Sequence, residues 1–319
     1  MAIIGTDISF AKQLLQSGQV VGIPTETVYG LAGNAFDDDA VLKIFTVKNR
    51  PQFDPLIVHT DSLHKLSAFI ADFPEKARKL ADAFWPGPLT LLLPKSDMIS
   101  DLVTSGLSSV AVRLPNHPLT LELLSALDFP LAAPSANPFG YISPTSAGHV
   151  DQQLGKKIPY ILDGGESRVG IESTIVGFEG DEAIVYRQGG TSVESLEKVI
   201  GPVRVMTHST SNPKAPGMLK SHYSPRKPLF ISNFDTLLTH YSKEKIGYLS
   251  FQKLFDALPA DNQRILSPSG GYAEAAKHLF SYLRQLDSLP LDVIFAELLP
   301  EKDLGRAIND RIRRAAVRD

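Results

Sequence analysis

The sequence predicts an α/β protein in two parts. Three observations carry that prediction. The chain has 319 residues, long for one ordinary domain and short for three. Helix-period and strand-period apolar patterns are intermixed over the first two hundred residues. A polar, proline-punctuated stretch at 207–228 then interrupts the pattern, and strand and helix alternate afresh beyond it.

The elements follow in order. Residues 9–16 carry Phe10, Ala11, Leu14 and Leu15 at helical spacing, and 19–23 reads as a strand. Asp37, Asp38 and Asp39 offer an N-cap and a negative first turn to a helix through Val41, Leu42, Ile44 and Phe45. Short apolar runs predict strands at 55–59, 89–93, 110–114, 131–133 and 160–162. Further helices are expected at 74–84, 119–126 and 193–199. The stretch 207–228 has neither periodicity and reads as a linker. After it come strands at 229–232 and 246–250, a helix at 272–286, a strand at 293–297 and a basic helix at 306–318. That alternation suggests a small doubly wound domain with a parallel sheet. The closing arginines Arg311, Arg313, Arg314 and Arg318 read as a solvated helix face, with contact to RNA or a partner as the alternative.

Composition narrows the chemistry. Hydrophobic content of 43% with 21% charge suits a globular core. No apolar run is long enough to span a bilayer, and the N-terminus lacks a signal-peptide pattern. The absence of cysteine excludes a disulfide framework, a thiolate nucleophile and cysteine-held metal; a cytosolic location is expected. A net charge of −3 disfavours a basic nucleic-acid binder. No phosphate loop, dinucleotide fingerprint or nucleophile elbow is present. His59 and His64 are the nearest histidine pair, and their spacing does not put both on one helix face, so no protein-held transition metal is expected.

Four segments set hydroxyl, amide or basic residues against prolines and glycines at strand ends. PTETVYGL (24–31) puts Thr25 and Thr27 in a turn. KNRPQFDPLIVH (48–59) carries Lys48 and Arg50 before a strand ending at His59. SSVAVRLP (108–115) alternates so that Ser109, Ala111 and Arg113 share a face. APSANPFGYISPT (133–145) holds Ser135, Asn137 and Ser143 in a loop. Each has a plain structural reading: Lys48 and Arg50 could satisfy a helix C-terminus, and His59 or the PSAN turn could be purely structural. Arg113 is different, since an arginine on a buried strand face needs an anionic partner. Together the segments supply guanidinium groups, an ammonium and hydroxyls, which is anion and phosphate chemistry. The residues by themselves therefore predict a binder of a phosphorylated ligand.

These segments, with WPGPLT (85–90), DGG (163–165) and ESTIV (172–176), closely resemble the Sua5/YrdC family of threonylcarbamoyl-AMP synthases. APGMLKSHYSP (215–225) and the α/β tail resemble the long Sua5 form. The resemblance implies a twisted YrdC-like α/β domain with a concave basic pocket (1–206), a linker acting as a lid (207–228) and a smaller Rossmann-like domain (229–319). It implies that L-threonine, bicarbonate and ATP give threonylcarbamoyl-AMP, diphosphate and water. Mg2+ would accompany ATP, with no metal ligand from protein side chains. The implied partners are a separate threonylcarbamoyl transferase and the tRNA that it modifies. Carried onto this sequence, the family pattern assigns Lys48 and Arg50 to catalysis at the phosphates. It gives Thr27, His59, Arg113, Ala133 and Ser173 to L-threonine, with Arg113 on its carboxylate. Arg50, Asp54, Ser109, Ser135, Ser143 and Arg187 would line the ATP site, with His222 and Tyr223 folding over it. Two rivals stand beside this reading: an RNA-binding protein without catalysis, and a carbamoyl phosphate-dependent maturation factor, whose zinc module the lack of cysteine excludes.

Overall fold

The short apolar runs assemble into one eleven-stranded sheet, in a computed structural model that describes residues 1–206, 222–232 and 234–316. In chain order its strands are β1 (Ile3–Gly5), β2 (Val21–Ile23), β3 (Gly30–Asn34), β4 (Ile57–His59), β5 (Leu89–Pro94) and β6 (Ser109–Arg113), then β7 (Leu131–Ala132), β8 (Tyr160–Leu162), β9 (Thr174–Glu179), β10 (Glu182–Arg187) and β11 (Arg204–Val205). Across the sheet the order is β1-β8-β2-β3-β7-β4-β6-β5-β9-β10-β11, with parallel and antiparallel pairs mixed. Strands β2, β4 and β8 are buried throughout, as expected where both faces are covered.

Local signals behave as their chemistry requires. Asp37 caps its helix by accepting from the Asp39 and Ala40 N–H groups, and the helix spans Asp38–Lys48. It ends on Asn49 in the left-handed region at φ 54°, which turns the chain so that Lys48 and Arg50 leave toward the strand ends. Strands β4 and β6 run parallel with Ile57 beside Ala111 and His59 beside Arg113. A register shift between Val185 and Arg187 re-aims the end of β10.

The second sheet is wholly parallel: β12 (Leu229–Phe230), β13 (Ile246–Ser250), β14 (Gln263–Ile265) and β15 (Val293–Ala296), in the order β12-β15-β13-β14. Helices Tyr272–Ser288 and Leu304–Ala316 pack against it. One apolar cluster joins the two sheets' territories, with Val28, Ile142 and Ile171 packed among Leu279, Phe280, Leu283, Ile308 and Ile312. The contact is close enough that a Cβ on Gly170 would lie 2.4 Å from the Cα of Lys277.

The solvated-face assignment of the closing helix is wrong for two of its arginines. Arg311 is fully buried and Arg314 nearly so, while Arg313 is exposed. The physical reason lies in the stripe Ile308, Ile312 and Ala315, which docks inward and takes Arg311 with it. Arg318 lies outside the described residues, as does 207–221 of the linker. The strand expected at 229–232 covers only its first two residues.

Candidate active site

The strand-end loops converge on one polar pocket. The PTETVYGL turn forms first, because the Thr25 hydroxyl donates to the Val28 carbonyl (2.6 Å) and accepts from the Thr27 and Val28 N–H groups. The Thr27 hydroxyl then sits 2.8 Å from that of Thr25, wholly buried, in the pocket wall.

Arg113 meets the anion its position demands: its Nη2 lies 2.8 Å from Glu26 Oε1, and its Nε donates to the Gly87 carbonyl. Glu26 Oε2 in turn accepts from the Asn116 N–H. Beside Arg113, His59 is buried with Nδ1 3.3 Å from the Ile57 carbonyl oxygen. Burial, reinforced by the Arg113 charge, lowers its pKa to about 3, so the imidazole is neutral near pH 7. Ala133 and Ser135 line the same pocket from the end of β7.

Arg50 is fixed by its own loop. Nη2 pairs with Asp54 at 2.9 Å and donates to the Pro55 carbonyl, while Nε donates to the Asp54 carbonyl. Lys48 stands behind the pocket wall, where Nζ donates to the carbonyls of Ser135 and Asn137. Burial and the neighbouring Arg50 push its pKa well below the usual lysine range. On the opposite side Arg187 donates from Nε to the Ser173 carbonyl and from Nη2 to its hydroxyl, each at 3.0 Å. The Ser173 hydroxyl also lies 2.7 Å from that of Thr90.

His222 and Tyr223 line the same pocket from beyond the main sheet. Both are buried, their rings are 4.2 Å apart, and His222 also meets Phe139 edge-on. Tyr223 takes a left-handed φ of 67° under the Arg311 guanidinium, which lies 5.5 Å from the ring centre. Burial, with Arg50 and Lys48 nearby, holds His222 neutral. With these rings in place the free cavity measures about 50 Å3.

Thus Thr27, Arg50, His59, Arg113, Ala133, Ser135, Ser173, Arg187, His222 and Tyr223 come together around one pocket. Asp54 and Lys48 serve it from behind. Ser143 reaches it through Glu172, to which its hydroxyl donates at 2.6 Å. Ser109 lies elsewhere on the same sheet face, in a neighbouring hollow of about 550 Å3 with Leu92, Pro94 and Tyr186. Sequence reasoning missed Glu26, Glu172 and Arg311. The signal for Arg311 was available, since it interrupts an apolar helical stripe as Arg113 interrupts an apolar strand.

Lys48, Arg50, Arg113, Arg187 and the adjacent Arg311 bring five formal positive charges; Glu26, Asp54, Glu172 and Asp310, which also pairs with Arg311, return four. Among the described residues, no group of three histidine, cysteine or acidic side chains is arranged to hold a metal ion. None of their helices is long and apolar enough to cross a membrane.

Fold and site define a class: a two-domain α/β protein with a cation-rich polar pocket, roofed by residues from beyond its main sheet. Comparison with known proteins makes the class specific. Residues 13–189 match the Sua5/YciO/YrdC family model, described as telomere recombination, and 191–317 match that of the threonylcarbamoyl-AMP synthase C-terminal domain. The threonylcarbamoyl-AMP synthase of Pyrococcus abyssi is 40% identical over 97% of this chain and 94% of its own. That of Bacillus subtilis is 40% identical over 97% and 92%. The crystal structure of P. abyssi Sua5 complexed with L-threonine superposes with a TM-score of 0.90 at 38% identity, covering 99% of this chain and 97% of that one. The chain belongs to the threonylcarbamoyl-AMP synthase family.

Proposed function

We propose that this protein condenses L-threonine, bicarbonate and ATP into threonylcarbamoyl-AMP, releasing diphosphate and water. The observation that carries the reading is the single pocket where Arg50, Arg113 and Arg187 converge with the Thr27 and Ser173 hydroxyls and a neutral His59. The similarity of the whole chain to P. abyssi Sua5 in complex with L-threonine supports it.

The chemistry asks for positioning rather than a covalent intermediate. The threonine amine and bicarbonate form a carbamate with loss of water; a carbamate oxygen then attacks the α-phosphorus of ATP, and diphosphate leaves. Such a step depends on alignment and on neutralising charge in a dry site. In this reading Arg113 takes the threonine carboxylate. His59, Thr27, Ser173 and the wall at Ala133 hold the rest of the amino acid. Arg50 faces the phosphates, oriented by Asp54. Lys48 fixes the Ser135 loop behind the phosphates. Arg187, Ser135 and Ser143 border the nucleotide, whose adenosine end extends toward Ser109 and the larger hollow. His222 and Tyr223 line a pocket with about 50 Å3 free, and in this reading they lift for ATP to enter. Mg2+ fits as a companion of the triphosphate: each carboxylate around the pocket is already engaged by an arginine. It would there neutralise phosphate charge.

We take 1–206 as the catalytic domain, 207–228 as linker and lid, and 229–319 as the C-terminal domain. We place the reaction in the cytoplasm, where a transferase would pass the threonylcarbamoyl group to tRNA. The test is diphosphate release from ATP with L-threonine and bicarbonate supplied singly and together. Release that requires both, with a threonylcarbamoyl-AMP mass, is the expected result. No release from folded protein, with salt-sensitive tRNA binding instead, would put the RNA-binding reading first.

A further inference from the structure

Two buried arginines of the C-terminal domain converge on Ser143. Arg284, from helix Tyr272–Ser288, donates through Nη2 to the Ile142 carbonyl and through Nε to the Ser143 carbonyl at 3.2 Å. Its guanidinium also lies over the Tyr141 ring at 5.2 Å. Arg311, from helix Leu304–Ala316, donates through Nε to Glu172 Oε2 at 3.1 Å and through Nη1 to the Gln188 carbonyl. The other Glu172 oxygen accepts the Ser143 hydroxyl at 2.6 Å. One arginine thus fixes the Ser143 backbone, and the other fixes the carboxylate that fixes its side chain.

Arg311 Nη1 also meets Asp310 at 3.2 Å, while its buried Nη2 has no acceptor among the described residues. The same helix also holds the pocket's roof. The Arg314 carbonyl faces the His222 N–H at 3.4 Å, and the Arg311 guanidinium covers Tyr223.

We infer that Arg311 is a positioning residue for the nucleotide side of the pocket, acting through Glu172 on the Ser143 hydroxyl, with Arg284 holding the same turn from its backbone. The C-terminal domain is on this account a working wall of the active site. Its arginine fork sets two hydrogen-bonded oxygens at once, which a lysine in its place could not do. The inference rests on the proposed function, because Ser143 is given to the nucleotide there.

The test is a double-mutant cycle on the full chain, with Arg311→Met and Ser143→Ala alone and combined, read as kcat/KM for ATP and for L-threonine. Each single variant is expected to lower kcat/KM for ATP by about tenfold or more, with KM for L-threonine within about twofold of wild type. The double variant is expected within about twofold of the worse single one, because both changes remove one device. Arg311→Lys should recover part of the loss, since one ammonium can still reach Glu172. A double variant whose losses multiply, or equal losses toward both substrates, overturns the assignment and leaves Arg311 a docking residue. If Arg311→Met fails to unfold cooperatively, the cycle runs on Arg311→Lys, which keeps a charge beside Glu172. A wild-type protein that makes no threonylcarbamoyl-AMP removes the functional reading and this one with it. Adenylate from the wild type without coupling removes this one alone.

Discussion

Removing Arg113 should separate what its buried ion pair does for folding from what it does for the ligand. Arg113 and Glu26 are 4% and 3% exposed, and their charged atoms stand 2.8 Å apart. Arg113→Ala leaves the Glu26 carboxylate buried, supported by the Asn116 N–H alone, and also frees the Gly87 carbonyl. Breaking a buried pair in this way costs about 3–5 kcal/mol, against a total stability of about 5–15 kcal/mol. Adding Glu26→Gln removes the stranded charge, so the double variant should recover a large part of that stability. It should recover none of the L-threonine-dependent turnover, because the guanidinium assigned to the threonine carboxylate is still missing. ATP binding should persist in both. The assays are denaturant unfolding, diphosphate release with L-threonine and bicarbonate, and calorimetric titration with ATP. Turnover restored in the double variant would make Arg113 purely structural. Loss of ATP binding with L-threonine binding intact would reverse its assignment.

Two further outcomes follow from the same structure. His59 and His149, with pKa values lowered by burial to about 3 and about 4, take up protons in the unfolded chain first. Their contribution to stability is complete above about pH 6.5 and is lost as pH falls from there toward those values. The denaturant midpoint should therefore fall between pH 7 and pH 5, less steeply in His59→Asn; an unchanged slope would show that His59 is not held neutral. At Gly170, φ is +79° and a Cβ would meet Lys277 backbone at 2.4 Å, whereas at Gly180 φ is +58° with nothing within 4 Å. Gly180→Ala should cost about 1–2 kcal/mol from backbone strain alone. Gly170→Ala should cost more, by the further ~1–3 kcal/mol typical of an overpacked contact, and should loosen the C-terminal domain to protease. Equal unfolding midpoints would refute the close docking.

Much of this was legible from residue chemistry. Arg113 announced itself as a charge in an apolar strand, and its need for an anion is met. Its partner was not legible, because Glu26 lies in a different segment and only the tertiary fold brings the two together. Lys48 shows the opposite case: its charge was visible, but whether it meets a ligand or the Ser135 and Asn137 carbonyls depends on where the loop after β7 lies. Strand β3, Gly-Leu-Ala-Gly-Asn, lacks β-branched residues and is strand by pairing alone. The hairpin β9–β10 does carry a signal, Ile175-Val176 and Ile184-Val185 around a turn at Gly180, outside the strands predicted above. Arg314 reads as a surface charge until the facing domain is supplied, whereas Arg311 falls within the stripe of Ala307, Ile308, Ile312 and Ala315 and could have been singled out.

The carboxylates also bear on how the pocket recognises an anion. Arg50 and Arg113, each assigned to a ligand anion, already hold a protein carboxylate: Asp54 and Glu26. If ligand and protein anions competed for one position, binding would have to break a buried ion pair each time, a heavy loss. A guanidinium avoids that conflict because it has five donors in a rigid fork. Arg113 commits Nε to Gly87 and Nη2 to Glu26, which leaves Nη1 uncommitted among the described residues; Arg50 likewise commits Nε and Nη2. The protein anion therefore fixes the plane and direction of the fork while its other edge stays open to a ligand. It also keeps the pocket from carrying its full cationic excess when empty. On this argument Glu26→Ala would not free Arg113 for tighter binding. It would let the fork turn and weaken the hold on L-threonine, although the pocket had gained a net positive charge.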